Sequence, residues 1–215
     1  MAIFPITPSC PDFASLEAPV FIIGAAHTGK SELAINTLDH TKPATVIGTA
    51  EIDNSEISNR VHHLKSIRPS IWLSLDRCES VIETLKIQMK TSHQILIDSI
   101  NQWIGGTILK KLQRHSTSQI ESLIAFDCQE LCQLLSQSHS RICLVSSEVG
   151  AGLSPLKPIP RMFRMSVSRI NTKIAAICPT VILVSAGVPL ILKGFPGSDK
   201  HHHAKYSPYH QPTTK

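Results

Sequence analysis

The sequence predicts an α/β fold: a mostly parallel sheet with helices on both faces, closed by a C-terminal strand pair. Three observations carry that expectation. Short unbroken apolar runs, such as Val20-Phe21-Ile22-Ile23 and Ile95-Leu96-Ile97, read as strands buried on both faces. Stretches with helical character lie between them, the alternation that builds parallel sheets. The first run leads through the octapeptide GAAHTGKS, residues 24–31, straight into the helical stretch SELAINTL.

Taken in order, residues 1–17 are expected to form an irregular N-terminal extension, because prolines interrupt them and no basic start marks a signal peptide. The ordered domain is expected over 18–193. After the first strand and helix, Pro43–Ala50 reads as a strand, and EIDNSEIS supplies acidic and capping residues ahead of a helix running to about Ile67. Arg68-Pro69 stops that helix, and Ile71–Leu75 is a short edge segment. A helix near Cys78–Met89 and the strand Gln94–Asp98 follow. Helices at 100–114 and 118–136 are divided by the polar His115-Ser116-Thr117-Ser118. Arg141–Ser146 is another strand, and a proline-rich loop over 150–160 leads into a helix at 161–177. Thr180–Ser185 and Pro189–Lys193 pair about Ala186-Gly187. Residues 194–215, polar and proline-spotted, are expected to be a disordered tail that includes His201-His202-His203.

Composition narrows the class. The 215 residues suit one domain with a full core, and 42% hydrophobic with 17% charged residues argues against disorder over most of the length. A net charge of +5 without a basic stripe and interleaved aromatics gives no nucleic-acid partner. No apolar run approaches the roughly 20 residues that span a bilayer, so no membrane partner is expected, and a reducing cytoplasm is the default setting. The six cysteines lack C-x-x-C spacing; Cys128 and Cys132, four apart on one helix, are expected to be free thiols.

The octapeptide matches the phosphate-binding pattern G-x-x-x-x-G-K-[ST] at Gly24, Gly29, Lys30 and Ser31, which makes the expected fold P-loop NTPase-like. Its residues Gly24, Ala25, Ala26, His27, Thr28, Gly29, Lys30 and Ser31 are all nucleotide-binding candidates. Backbone N–H groups of such a loop turn inward around a polyphosphate, and the following helix turns its positive end toward it. Lys30 is placed to reach the β- and γ-phosphates and Ser31 to hold Mg²⁺. Asp98 closes an apolar strand, where an acid orders Mg²⁺ beside the loop, although Asp also serves as an ordinary helix cap. Ser147-Glu148-Val149-Gly150 follows a strand at the edge where ligands collect, which makes Glu148 a candidate for contact with nucleotide. On the helix before Arg68, Ile57, Val61 and Leu64 define the buried stripe. His62 lies about 140° from Ile57 and His63 about 120° off on the other flank, in line with Glu56 and near Arg60. Geometry therefore leaves His62 solvated and puts His63 at a border where a side chain can look into a cleft.

Taken together these pieces resemble the bifunctional adenosylcobinamide kinase / adenosylcobinamide-phosphate guanylyltransferase family of cobalamin biosynthesis, from about Val20 to Lys193. The resemblance rests on FIIGAAHTGKSELA, GTAEIDNSEISNRVHHLKSIRPSIW, ILIDSINQWIGG, LVSSEVGAGLSP, FRMSVSRINTKIA and VILVSAGVPLILK. It implies that His63, matched on Arg60 and Arg68-Pro69, attacks the α-phosphorus of GTP and carries GMP, with Lys30 and Asp98 as catalytic partners. It implies nucleotide contacts at Gly48, Thr49, Ala50, Lys65 and Arg68, with Mg²⁺ as cofactor and GTP or ATP as co-substrate. The acceptor would be adenosylcobinamide or its phosphate, and the assembly a homotrimer. The chain departs from the family pattern at Ala25 and His27, where glycine and arginine are usual, and at Met165, Ser168 and Pro179. A kinase or NTPase with another small acceptor, and a nucleotide-binding protein without catalysis, stay open on the residues alone.

Overall fold

The computed structural model describes residues 12–50, 55–76, 78 and 80–194. The strands β1 (Val20–Gly24), β2 (Thr45–Gly48), β3 (Leu73–Leu75), β4 (Gln94–Asp98), β5 (Arg141–Ser147), β6 (Thr180–Ser185) and β7 (Val188–Lys193) form one sheet in the order β3-β2-β4-β5-β1-β6-β7. Every pairing is parallel except β6 with β7. Ala186 and Gly187, both at positive φ (49° and 82°), make the tight turn of that hairpin.

Helices cover both faces, as the continuous burial of the central strands requires. Phe21, Ile47, Ile95, Ile97, Ile142 and Leu144 point to one side, into a core shared with α3 (Val81–Gln88), α4 (Ile100–Lys111), α5 (Thr117–Gln137) and α6 (Pro158–Ile177). Val20, Ile22, Val46, Leu96, Cys143 and Val145 point to the other, against α1 (Lys30–Asn36) and Leu64 of α2 (Ser55–Ser66). Strands buried on both sides have no polar face to show, which is why their sequences run apolar without a break.

Several boundaries differ from the sequence reading, each for a local reason. Helix α6 begins at Pro158, three residues early, because prolines at 158 and 160 occupy a first turn whose N–H groups have no helical partner anyway. Helix α3 waits until Val81, where Ser80 caps it through Glu83 N at 3.3 Å. Strand β3 is only three residues long at the sheet edge, and Trp72 before it is turned into the second core with its indole N–H donating to Lys42 O. The last residues before β1 form a 3-10 turn, Phe13–Ser15, and Leu16 is buried. Arg141 fastens them by donating to Phe13 O, Leu16 O and Thr37 O. Residues 1–11, the acidic capping stretch 51–54, and 195–215 with the triple histidine lie outside the described residues.

The remaining cysteine expectation concerns chemistry rather than position. Cys128 is buried in the first core, and burial pushes its thiol up to about 12; burial also raises that of Cys132. Both are free, and thiols so placed are poor nucleophiles and metal ligands. Among the described residues, no helix is long and apolar enough to cross a membrane.

Candidate active site

Parallel strands leave their carboxyl ends on one edge, and the chain's polar candidates gather there. Register places Gly24 beside Ser147 and Gly48 beside Asp98, so the ends of β1, β5, β2 and β4 meet along that edge. The edge also receives α6, through Asn171 Nδ2 donating to Ser147 O at 3.0 Å.

The phosphate loop leaves β1 at Gly24, where a Cβ would sit 2.2 Å from the Val184 carbonyl oxygen of β6, so no larger residue fits without moving the sheet. It ends at Gly29, whose left-handed φ of 88° lets the chain turn into α1. His27 also takes a left-handed φ of 58°. Thr28 Oγ1 and Lys30 Nζ both donate to Ala25 O, which closes the loop on itself. Lys30 is buried; burial is the main cause that lowers its pKa, and the positive charge of Arg60 lowers it further.

Beside the loop lies a three-part polar contact. Ser31 Oγ donates to Asp98 Oδ1 at 3.2 Å, and Arg60 Nη2 reaches across from α2 to donate to the same Ser31 oxygen at 3.0 Å. Asp98 is therefore turned to the site, not used as the cap of α4, where Ser99 stands at the N-cap position. Burial pushes the Asp98 carboxyl above its ordinary range, and the charges of Arg60 and Arg68 with the Ser31 hydroxyl oppose that shift. A carboxyl raised on folding costs stability once pH climbs through its folded pKa. Asp98→Asn is accordingly expected to raise the thermal midpoint of the nucleotide-free protein at pH 7. The same change is expected to lower turnover about 10²-fold by weakening charge stabilisation; calorimetry and steady-state assays check the two effects.

The cleft behind this contact is lined by Gly48, Ala50, Arg60, Arg68, Asp76 and Asp98, among others. Arg68 is half-buried, donates to Ser74 Oγ at 3.2 Å, and keeps a buried Nε without a protein partner. Lys65 forms a close ion pair with Asp76, so its charge is held at the cleft rim. Thr49 is not free to offer its hydroxyl: the oxygen donates to Ser99 O and accepts from Ser99 N, both at 2.7 Å, and so fixes the β4–α4 junction. Glu148 sits against the loop through its backbone N–H donating to Gly24 O at 3.0 Å, while its carboxylate accepts from Gly150 N. Arg164 ties down the same segment by donating to the carbonyls of Gly150, Gly152 and Leu153.

His62 and His63 are both exposed. Ile57, Val61 and Leu64 form the inward stripe of α2 as expected, with Leu64 buried. The flank of α2 that carries Glu56 and Arg60 faces the phosphate loop. Glu56 approaches His27 at 3.7 Å, and Arg60 reaches Ser31. His63 follows Arg60 by one turn on that flank, and His62 lies on the other.

Three site residues escaped the sequence reading. Arg60 served there only as an anchor for matching, although its spacing from His63 was the available signal. Asp76 follows β3 as Asp98 ends β4, and Gln102 lines the cleft from α4. Of the departures from the family pattern, Pro179 precedes β6 at the opposite end of the strands from the phosphate loop, as the pairing Val20↔Thr180 shows. Ser168 is different: its hydroxyl, on α6, lies 3.3 Å from where a Cβ on Gly150 would stand, so it borders the loop after β5.

Residues 20–192 match the family described as cobinamide kinase / cobinamide phosphate guanyltransferase. The bifunctional adenosylcobalamin biosynthesis protein CobP of Pseudomonas aeruginosa is 28% identical over 176 residues, which cover 81% of this chain and 97% of that protein. The bifunctional adenosylcobalamin biosynthesis protein CobU of Escherichia coli is 24% identical over 179 residues, covering 81% and 99%. A solved ATPase of a bacterial type III secretion system overlaps 77% of this chain and 50% of its own at a TM-score of 0.42 and 11% identity, too distant a likeness to argue from. On the family match, which takes in the phosphate loop, the Arg60–Arg68 segment, Asp98 and the loop after β5, this chain belongs to the cobinamide kinase / cobinamide phosphate guanyltransferase family.

Proposed function

We propose that the chain performs both transfers of its family: a γ-phosphoryl group from nucleotide to the aminopropanol hydroxyl of adenosylcobinamide, and GMP from GTP to the resulting phosphate through His63. One observation carries the reading. Arg60, one turn before His63, reaches the hydroxyl of Ser31 in the phosphate loop, so the flank of α2 with the histidine faces the place where a triphosphate would lie.

The chemistry follows from that placement. A neutral imidazole keeps a nitrogen lone pair that can attack phosphorus. In the first half-reaction the His63 nitrogen attacks the α-phosphorus of GTP. An N–P bond forms, the bond to the bridging oxygen breaks, and pyrophosphate leaves with the electron pair. Lys30 is the cation nearest that departing charge, with Arg60 and Arg68 behind it. In the second half-reaction a phosphate oxygen of the acceptor attacks the same phosphorus, the N–P bond breaks, and the imidazole is restored. The phosphoryl transfer asks the protein chiefly for positioning and charge neutralisation. Gly48, Ala50, Lys65 and Arg68 line or rim the cleft that would hold the remainder of the nucleotide, Glu148 borders the loop from β5, and Thr49 acts through Ser99.

Ser31 and Asp98 offer hard oxygen donors 3.2 Å apart beside the loop, which suits Mg²⁺. Bound there with nucleotide, the ion would neutralise charge on phosphate oxygens. The assembly is read as a homotrimer, to be checked by light scattering against three times the 23.6 kDa chain. Incubation with α-labelled GTP tests the covalent step: acid-labile, alkali-stable label on protein is the expected result. Label absent while nucleotide binds and its γ-phosphoryl group still moves would leave a kinase without guanylyl transfer.

A further inference from the structure

Arg60 stands where the site has least need of another cation and most use for one. Its guanidinium donates at 3.0 Å to the Ser31 oxygen that itself donates to Asp98. Among the neighbouring charges, it is the one that most favours the Asp98 carboxylate, ahead of Arg68. A hydroxyl oxygen has two lone pairs, and Arg60 takes one of them. The side chain thus occupies the hydroxyl of the pair read above as the metal donors and presents a full positive charge to anything that approaches it. Its stem comes from an exposed position on α2, so the head can leave without opening the core. Lys30 and Arg68 already gather positive charge about this one buried carboxylate.

We propose that Arg60 is a built-in counter-cation at the metal position: it holds the Ser31–Asp98 pair against free divalent ions in the nucleotide-free protein and moves to a phosphate oxygen when nucleotide arrives with its metal. The exchange is balanced in charge. Arg60 gives up a neutral hydroxyl for an anionic phosphate oxygen, an acceptor well matched to its planar fork. The divalent ion then meets Asp98 without a like charge against it. Metal is taken up as part of the nucleotide complex, and the empty site stays closed to stray cations. The inference rests on Ser31 and Asp98 being the metal donors, not on which transfer follows.

Manganous ion is the probe, because its free form is read directly by electron paramagnetic resonance. The full-length, nucleotide-free chain is titrated with Mn²⁺ alone at low ionic strength, as parent, Arg60→Gln and the double variant Arg60→Gln/Asp98→Asn, with circular dichroism confirming each fold. Removing a positive charge that hydrogen-bonds one of the metal donors is expected to tighten Mn²⁺ binding about tenfold in Arg60→Gln. That gain is expected to vanish in the double variant. Equal affinity in parent and Arg60→Gln, including no measurable binding by either, overturns the inference. So does a gain that survives Asp98→Asn, since it then arises elsewhere. Mn²⁺ with GTP on the parent keeps the two readings apart: failure to bind that complex counts against the proposed function, whereas binding it with unchanged response to Mn²⁺ alone counts only against Arg60.

Discussion

Lys30→Met is expected to lower both transfers by about 10²–10³-fold, the range seen when one preorganised stabiliser of developing phosphate charge is removed. Lys30 is the first residue of α1, is buried, and holds its ammonium on the Ala25 carbonyl inside the loop. On the proposed reading it meets the polyphosphate from there. The fold should not suffer. Burial is the largest cause lowering the Lys30 pKa, so the charged form is disfavoured on folding, and a cation with a depressed pKa withdraws stability at pH 7. The expected pattern is therefore collapse of turnover with an unchanged or higher melting temperature, measured on the same preparation. A fall in both together would mean that Lys30 chiefly supports the loop's structure. Lys30→Arg should fare little better than Met, because a branched, planar head cannot follow the same path to a point contact.

The second large effect belongs to α2. His63→Ala is expected to abolish guanylyl transfer, by on the order of 10⁴-fold or more, as loss of a covalent nucleophile does. His62→Ala should stay within about threefold, since a solvent-facing side chain away from the reacting atoms contributes little to the barrier. The phosphoryl transfer of His63→Ala should persist, because Lys30, Ser31 and Asp98 remain. Equal losses in both histidine variants would point to damage to the helix, not to a missing nucleophile. Both side chains are exposed on a helix whose buried residue is Leu64, so neither change removes core packing.

Much of this site could be read before any coordinates. The loop announces itself because its glycines answer to geometry: only Gly24 clears the Val184 carbonyl, and Gly29 turns left-handed into α1. Asp98 could be found because it closes the apolar run Ile95-Leu96-Ile97 of β4. The strands were legible for the same reason, since burial on both faces leaves an unbroken apolar run. What could not be read is long-range. Nothing local tells β1 to lie between β5 and β6, or β4 to part β2 from β5. The partners of polar residues were equally hidden. Thr49 spends its hydroxyl on Ser99, Lys65 on Asp76, and Arg164 on the carbonyls of the loop after β5, pairings that exist only once distant segments meet. Arg60 is the instructive case, because helical spacing put it on the flank of His63 while only the fold shows that it reaches Ser31.

The departures from the family pattern also sort themselves by place. Pro179 lies at the far end of the sheet and leaves the site untouched. His27 brings an imidazole to the loop in place of a fixed positive charge and faces Glu56 at 3.7 Å. Met165 follows the Arg164 clamp on α6 and is partly exposed. Any change in acceptor is thus to be sought along the loop after β5 and the first turns of α6, not in the phosphate loop's grip on nucleotide.

The central claim is that the histidine one turn beyond Arg60 becomes bonded to the innermost phosphorus of a triphosphate held by residues 24–31. Its most direct test is to mix the protein with GTP and magnesium, digest under alkaline conditions, and map the added GMP by mass spectrometry. The account predicts one adduct, on the peptide containing residues 61–65, with fragments assigning it to His63, and lost from that peptide when the phosphorylated acceptor takes up the GMP. An adduct on His62 or on any other side chain, or none under conditions where GTP is bound, would contradict it.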